Sequence, residues 1–180
     1  LKLNHYGEAT SISFSPDGKY ILSTSGVYDE GEFNKFRTED NAIRVWDSST
    51  GELLLRIEGH DDLVRNAVYS PDEKNILSSS ADNTIRIWDA ATGKELWRKS
   101  LYAYYTQYSP SGCKIVVASF KEILIIDTET KKTISILKGH ELRVNHTSFS
   151  ADEKYIVSAS DDRTIRVWDI ETSIEILKIP

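Results

Sequence analysis

The chain has 180 residues, of which 39% are hydrophobic and 28% are charged, and this balance is typical of a folded globular protein rather than a disordered one. Its net charge of −6 argues against nucleic acid or an anionic membrane as the main partner, and no apolar run approaches the ~20 residues of a membrane helix. The single cysteine, Cys113, excludes an intrachain disulfide and a cysteine-based zinc site. We therefore expect a cytoplasmic protein, with the nucleus left open.

The first strand-rich stretch spans about residues 5–58. It contains SPDG at 15–18, the β-rich run YILS at 20–23, NAIRVWD at 41–47 and a turn at Thr50 and Gly51. Pro presets φ and Gly tolerates φ > 0, so these turns separate short strands. Ser25 and Asp40 are thirteen positions further apart than the corresponding Ser80 and Asp82. This difference predicts an inserted loop over residues 26–38.

Three further stretches repeat the same order. The second, about residues 59–99, has GH at 59–60, SPDE at 70–73 and NTIRIWD at 83–89. We predict four strands in it: one ending near residue 69, then 76–80, 84–88 and 94–98. The third, about 100–138, is weaker, with SPSG at 109–112 and KEILIID at 121–127. The fourth, about 139–180, restores GH at 139–140, SADE at 150–153 and RTIRVWD at 163–169.

The markers keep a fixed register. The aspartates that close the last motif recur at intervals of 42, 38 and 42 residues: Asp47, Asp89, Asp127 and Asp169. A histidine precedes the turn serine by ten residues in three of the stretches: His5, His60 and His140. A four-stranded unit of about 40–45 residues with Gly-His and Trp-Asp is typical of a propeller blade. The chain thus resembles the WD-repeat β-propeller family over its whole length. The resemblance implies an all-β fold, a β-propeller segment of four four-stranded antiparallel blades.

In that family a hydrogen-bonded tetrad of His, Ser or Thr, Asp and Trp fastens each blade. The resemblance implies three such tetrads, in blades 1, 2 and 4: His5, Ser23, Asp40 and Trp46; His60, Ser78, Asp82 and Trp88; His140, Ser158, Asp162 and Trp168. In blade 2, Ser80 is an alternative to Ser78. A buried Asp is tolerable only when it is paired, and a buried indole N–H needs an acceptor. Because the set recurs three times in one chain, we interpret it as structural rather than as a catalytic triad.

Blade 3 departs from this pattern as a group. It lacks Gly-His, Ile126 replaces the Trp, Leu124 replaces the strand Arg and its tight turn has no Asp. A buried Asp without partners would be costly, so we expect apolar packing to replace the network. In the other blades, we expect Arg44, Arg86 and Arg166 to lay their aliphatic stems over apolar surface.

The resemblance also bears on blade number, because rings of this family commonly have seven or eight blades. The chain begins at Leu1 and contains no Met, from which we expect a fragment of a longer protein. An open half ring would expose the apolar faces of two sheets. We predict that further propeller blades of the same chain cover these faces, with self-association of two halves as the alternative.

Candidate partner-binding residues come from two places. The resemblance implies that the His-bearing loops and the tetrad Asp turns share one face, the top, and register places four residues near it: Thr10, Arg65, Tyr104 and Arg143. Tyr and Arg are enriched at interface hot spots, although ordinary packing is an equal alternative. The second place is the inserted loop with its aromatic residues, Tyr28, Phe33 and Phe36. We interpret its acidic residues as a solvated tip rather than a calcium loop.

The function that these features favour is a protein–protein interaction scaffold that binds peptides or protein domains through its top face and loops. A sensor or autoinhibitory array within a larger signalling protein is the alternative. An enzyme with a central-channel site is the least favoured, because no convergent set of titratable groups is evident. We therefore predict no catalytic residue, no cofactor and no metal, and we expect protein or peptide partners rather than membrane or nucleic acid.

Overall fold

The computed structural model describes residues 8–26 and 40–180. Over these residues the protein is all-β, with sixteen strands in four four-stranded antiparallel sheets and no helix. Sheet 1 comprises β1 (Glu8–Phe14), β2 (Tyr20–Gly26), β3 (Ile43–Asp47) and β4 (Leu53–Ile57). Sheet 2 comprises β5 (Val64–Tyr69), β6 (Asn75–Ser80), β7 (Thr84–Asp89) and β8 (Glu95–Ser100). Sheet 3 comprises β9 (Tyr105–Tyr108), β10 (Lys114–Ala118), β11 (Glu122–Asp127) and β12 (Thr133–Lys138). Sheet 4 comprises β13 (Val144–Phe149), β14 (Tyr155–Ser160), β15 (Ile165–Asp169) and β16 (Glu175–Ile179).

Each sheet is a meander, since its strands pair in chain order. In sheet 2 the two middle strands are buried on both faces, whereas the last strand alternates between half-buried and exposed residues. This difference follows from position, because an outer strand of an antiparallel sheet has one face in water. The predicted fold class, a propeller segment of four antiparallel four-stranded blades, is confirmed.

The turns between the first two strands of each sheet use side chains to replace lost backbone pairing. In sheet 1, Ser15 Oγ donates to Asp17 Oδ1 at 2.8 Å and accepts from the backbone N–H of Tyr20 at 2.9 Å. The turn needs a residue in the left-handed region, which is Gly18 in sheet 1 (φ 75°) and Glu73 in sheet 2 (φ 61°). Ser-Pro-Asp-Gly was therefore correctly interpreted as turn chemistry.

The chain divides into two compact units, Leu1–Leu101 and Tyr102–Pro180. In the first, called unit 1, sheets 1 and 2 pack face to face. Side chains from both sheets form one apolar core: Leu22, Ile43, Val45, Ile57, Val64, Ala67, Tyr69, Ile76 and Trp88. Burial of this face, rather than strand propensity alone, holds the two sheets together.

The second unit, called unit 2, repeats this arrangement with sheets 3 and 4. Its core also draws on both sheets: Val116, Ala118, Ile123, Ile125, Leu137, Val144, Ile156 and Trp168. Positions that match by strand register carry similar apolar residues in the two units, so each unit is a pair of sheets built on one plan.

Candidate functional site

The hydrogen-bonded network of sheet 2 joins all four residues of the implied tetrad. Trp88 Nε1 donates to Ser78 Oγ at 2.8 Å, and His60 Nε2 lies 2.7 Å from the same oxygen. His60 Nδ1 lies 2.8 Å from Asp82 Oδ2. Ser78, not Ser80, is the hydroxyl partner, because strand β6 turns Ser78 towards the indole.

Sheet 4 repeats this geometry at matched positions. Trp168 Nε1 donates to Ser158 Oγ at 2.8 Å, and His140 bridges Ser158 and Asp162 with distances of 2.8 Å on both sides. Ser158 is 1% exposed. Since its oxygen is already shared by the indole and the imidazole, the hydroxyl is placed as a fastener within the sheet rather than as a nucleophile open to substrate.

Sheet 1 keeps only part of the network in the described residues. Trp46 Nε1 donates to Ser23 Oγ at 2.8 Å, and the buried Asp40 pairs with Arg44 and, at 3.1 Å, with Arg56. His5, the fourth residue implied for this tetrad, lies outside the described residues.

Two buried arginines extend the networks, and sequence reasoning missed their role. Arg86 contacts Asp82 Oδ2 at 3.0 Å and Glu95 Oε2 at 2.8 Å. Arg166 makes the same pair of contacts with Asp162 at 3.4 Å and Glu175 at 2.7 Å. The expectation that the arginine stems lie over apolar surface did not include this pairing: the guanidinium carbon of Arg86 lies 5.7 Å from the centroid of the Trp88 ring, and the guanidinium groups of Arg86 and Arg166 are also buried and paired. The available signal was a glutamate nine residues after each arginine.

The tetrad aspartates remain ionised because hydrogen bonds outweigh burial. Burial alone would raise the pKa of Asp82, but donors on His60 and Thr84 and the N–H of Asp61 bring it well below the ordinary value. In sheet 4, Thr164 and His140 lower the pKa of Asp162 against the same effect of burial. A buried carboxylate held in this way acts as a charged anchor for the loop that carries the histidine.

The glycine of the Gly-His motif is needed because the Trp and Arg of the network leave no space for a side chain at this position. A side chain at Gly139 would place its Cβ 2.6 Å from Arg166 Nη1 and 3.0 Å from Trp168. At Gly59 the backbone φ of 144° disfavours other residues, and a Cβ would lie 3.0 Å from Trp88. Glycine therefore precedes each histidine so that the loop can pass close to the Trp and Arg.

Sheet 3 fills the same positions with apolar side chains. By register, Val117 stands at the position of Ser78, Ile126 at that of Trp88 and Leu124 at that of Arg86. Val117 and Ile126 are fully buried, and Leu124 is 8% exposed. Replacing these polar members together means that none of the three positions carries a buried polar side chain that needs a partner.

Of the four candidate residues near the starts of the first strands, two share a structural feature. Thr10 and Arg65 lie at β-bulges, where β1 and β5 shift register between residues 9 and 11 and between 64 and 66. A bulge re-aims the side chain of its extra residue. Thr10 uses this to donate to the carbonyl of Val64 at 2.5 Å, which makes it a contact between sheets 1 and 2. Arg65 is half-buried.

The assignment of Arg143 to this register was wrong. In sheet 4 the bulge falls between Val144 and His146, so Asn145 is the residue that matches Arg65. Arg143 comes before β13, where its carbonyl accepts from the N–H of Asp161 at 2.9 Å. The loops before β5 and β13 have the same length, because each strand begins four residues after the histidine, so the residue that follows the first valine is Arg65 in one and Asn145 in the other.

Arg143 nevertheless meets Tyr104 in unit 2, in a group that we call the Tyr104 cluster: Tyr102, Tyr104, Arg143, Asn145 and Asp161. The guanidinium carbon of Arg143 lies 4.8 Å from the centroid of the Tyr104 ring, and its Nε lies 3.0 Å from Asp161 Oδ2. Asn145 Nδ2 donates to Asp161 Oδ1 at 2.5 Å. The hydroxyls of Tyr102 and Tyr104 are 2.6 Å apart.

The cluster is both ordered and accessible. The side chains of Arg143 and Asp161 are 43% and 40% exposed. The hydrogen bond from Asn145, together with Arg143, holds the pKa of Asp161 below its ordinary value, so the ion pair persists at neutral pH. Asp161 directly precedes the tetrad residue Asp162, so the internal network fixes the turn that presents the cluster.

The remaining candidates, Tyr28, Phe33 and Phe36, lie outside the described residues, as does the inserted loop apart from Gly26. Across the part of the chain that the structure describes, no three His, Cys, Asp or Glu side chains converge as metal ligands would. Those residues also contain no helix with the length and apolar character of a membrane crossing.

The networks occupy segments that match a known family. The model of the WD domain, G-beta repeat, matches residues 2–47, 51–89 and 131–169. The chain belongs to the WD-repeat family. These matches include every Trp-Asp pair of the repeats, and they leave out residues 90–130, which hold the first three strands of the apolar sheet 3.

Curated WD-repeat relatives align with nearly the whole chain. Nuclear distribution protein PAC1 of Arthroderma benhamiae is 26% identical over 98% of this chain, and periodic tryptophan protein 2 of Arabidopsis thaliana is 29% identical over 94%. WD repeat-containing protein SL1-17 of Schistosoma mansoni is 27% identical over 73%. The chain spans 43% of the length of the first relative and 18% of the second.

Proposed function

We propose that this WD-repeat chain is an interaction scaffold that binds peptides or protein domains through the Tyr104 cluster and the loops beside it. WD-repeat proteins generally act as protein-interaction scaffolds rather than as enzymes. The observation that carries the specific proposal is the juxtaposition of Tyr104 and Arg143 at 4.8 Å on a partly exposed, internally anchored turn.

The chemistry of the cluster suits recognition. Tyr and Arg offer large contact areas with few or preorganised degrees of freedom, and they dominate measured interface hot spots. The Arg143–Asp161 pair is exposed, so it contributes little to folding stability and its donors can be shared with a partner. The backbone beneath is held by β13 and β14, so a partner would meet a surface that needs little ordering.

The test is affinity capture with the full 180-residue chain from lysate of its source cells, quantified by mass spectrometry. The variant is the pair Tyr104→Ala and Arg143→Ala. The matched control is Lys154→Ala with Tyr155→Ala, at the opposite end of β14 from Asp161. The proposal expects a set of proteins that wild type and control retain and that the cluster variant loses by about tenfold or more. Equal retention by all three proteins would overturn it.

The inserted loop belongs to the same proposal, although its aromatic residues lie outside the described part of the chain. We infer that Tyr28, Phe33 and Phe36 add contact area to a partner. Deletion of residues 26–38 should weaken binding of the captured partners. Unchanged affinity after the deletion would remove the loop from the proposal. A cytoplasmic location likewise stays a prediction.

We also infer that the exposed apolar residues of sheet 1 and those of sheet 4 pack against further sheets, either of the same longer protein or of a second copy. Support comes from exposed apolar residues on both: Ile12 and Phe14 in sheet 1 are 69% and 65% exposed, and Val157 and Ile165 in sheet 4 are 41% and 44% exposed. The residues that match Phe14 and Val157 in sheet 2, Tyr69 and Leu77, are buried.

A further inference from the structure

A groove of about 330 Å³ opens between sheets 1 and 2 within unit 1. Its walls are mainly apolar, with one carboxylate and two phenols. The residues that matter for its chemistry are Tyr20, Val45, Leu54, Tyr69, Glu73 and Ala90. Leu54 is 48% exposed, so the groove is accessible from solvent along this wall. Its volume falls at the lower end of the roughly 300–1,000 Å³ found for ligand sites.

Unit 2 contains the same position between its own two sheets, with a lysine in place of the tyrosine and an isoleucine in place of the alanine. By register, Lys114 matches Tyr20, since these residues pair with Asp127 and Asp47. Ile170 matches Ala90, because both donate their N–H to the carbonyl of a turn lysine, at 2.9 Å in each case. Both residues pack against the core of their own unit, but the side chain of Ala90 ends at a methyl group and that of Ile170 is larger. The groove in unit 1 thus lies where unit 2 places the side chain of an isoleucine.

The two positions also differ in how their glutamates are paired. In unit 2, Lys114 Nζ lies 3.4 Å from Glu153 Oε2. Glu73 matches Glu153 and accepts the N–H of Asp17 at 2.6 Å, but it forms no ion pair with any residue that the structure describes. The nearby Lys19 is engaged by Asp17 at 2.7 Å. Glu73 therefore offers the groove a carboxylate without the lysine that pairs with Glu153 in unit 2.

The phenol beside Glu73 is buried and lies close to two carboxylates. Burial raises the pKa of Tyr69 to about 12, and the neighbouring Tyr20, Glu73 and Asp17 add to the effect. The Tyr69 hydroxyl thus stays protonated. The carboxylates of Glu73 and Asp17, rather than the burial of Tyr69, would repel an anionic ligand group at this end and attract a cationic one.

We propose that this groove binds a peptide segment of a partner protein that carries an aliphatic side chain next to a lysine or arginine. The aliphatic side chain would occupy the space above Ala90, as Ile170 does in unit 2. The basic side chain would run along Tyr20 and place its charge on Glu73, as Lys114 does with Glu153. The occupant is inferred from what the molecule itself uses to fill the matching position, and from charge complementarity.

The experiment selects a random peptide display library on the full 180-residue chain and then measures the enriched peptides by fluorescence anisotropy. One variant fills the groove, Ala90→Ile, and one removes its charge without changing its shape, Glu73→Gln. Their matched controls are Ala151→Ile and Glu129→Gln, at exposed positions of unit 2. Thermal unfolding of each variant checks that the fold is retained.

The proposal expects peptides with adjacent aliphatic and basic residues, about tenfold weaker binding to Ala90→Ile, and a loss of several-fold with Glu73→Gln. Both controls should bind as wild type does. Enrichment of acidic or purely apolar peptides, or of no peptide, would overturn the proposal, as would equal binding to Ala90→Ile. This site lies in unit 1 and uses none of the Tyr104 cluster, so either proposal can fail while the other stands.

Discussion

At the scale of single residues, the charged groups of the networks are the most demanding feature of this chain. Asp82 is 6% exposed at its side chain, and it accepts from His60 and the N–H of Asp61 while pairing with Arg86. Removing one member of a buried charged set leaves the others without compensation. The networks should therefore tolerate loss of a single charge poorly, even though each pair on its own is no strong source of stability.

Asp82→Asn should lower the free energy of unfolding by about 3 kcal/mol, because Arg86 loses a buried partner charge. Urea unfolding followed by tryptophan fluorescence measures the change. The matched control is Asp72→Asn, whose side chain is 56% exposed, and it should stay within about 0.5 kcal/mol of wild type. Similar losses in both variants would contradict the structural role of the network.

The lowered pKa values of Asp82 and Asp162 predict how stability depends on pH. Because the folded pKa lies below the ordinary value of 3.8, the unfolded chain binds protons first as the solution is acidified. The contribution to stability is thus complete above that value and is lost as pH falls below it. We expect the stability of wild type to fall more steeply below about pH 4 than that of Asp82→Asn with Asp162→Asn. Parallel curves from thermal unfolding would be the contrary result.

At the scale of elements, sheet 3 shows that a sheet of this type can dispense with polar fasteners. Its second strand has four fully buried apolar residues, and Ile126 occupies the place of a tryptophan. In the network of sheet 2 each buried polar group has a partner, and the matching positions of sheet 3 carry only apolar side chains. A mixture of the two would leave a buried polar group without a partner. We therefore expect a hydroxyl to stabilise sheet 2 at the position of Ser78 and to destabilise sheet 3 at the matching Val117.

Val117→Ser tests this statement by introducing one member of the network into sheet 3. The buried hydroxyl would lie beside Leu124 and Thr106, with no imidazole or indole to bind it, so we expect a loss of about 2 kcal/mol in unfolding free energy. The same substitution at Val157, which is 41% exposed, should cost less than about 0.5 kcal/mol. Both are measured by urea unfolding, and equal costs would show that sheet 3 tolerates a polar group.

At the scale of the whole molecule, sheets 1 and 4 carry exposed apolar residues, and the structure identifies which ones they are. Tyr69 is 9% exposed because sheet 1 covers it, whereas the matching Phe14 is 65% exposed. Two aromatic residues at matching positions of their strands thus differ in exposure, because another sheet covers only one of them. Apolar surface of this kind favours association.

We expect the isolated chain to self-associate through these faces. Light scattering at increasing concentration should give a mass that rises above that of the monomer, and Phe14→Lys with Val157→Lys should reduce the increase. Leu96→Lys, at an exposed position of the edge strand β8, is the control and should leave association unchanged. A monomer at all concentrations would refute the expected association.

The sequence by itself determined the fold class and the turn positions, because strand propensity, turn residues and marker spacing are local and repeat with the period of the sheets. It also indicated which serine, aspartate and tryptophan positions recur, and the atoms of His60, Ser78, Asp82 and Trp88 lie within hydrogen-bonding distance. Only the tertiary structure decided the pairing of Arg86 with Glu95, the register of Arg143, and the groove above Ala90. Each of these depends on how strands separated in sequence approach in space, and on a single bulge or methyl group that leaves no periodic signal in the chain.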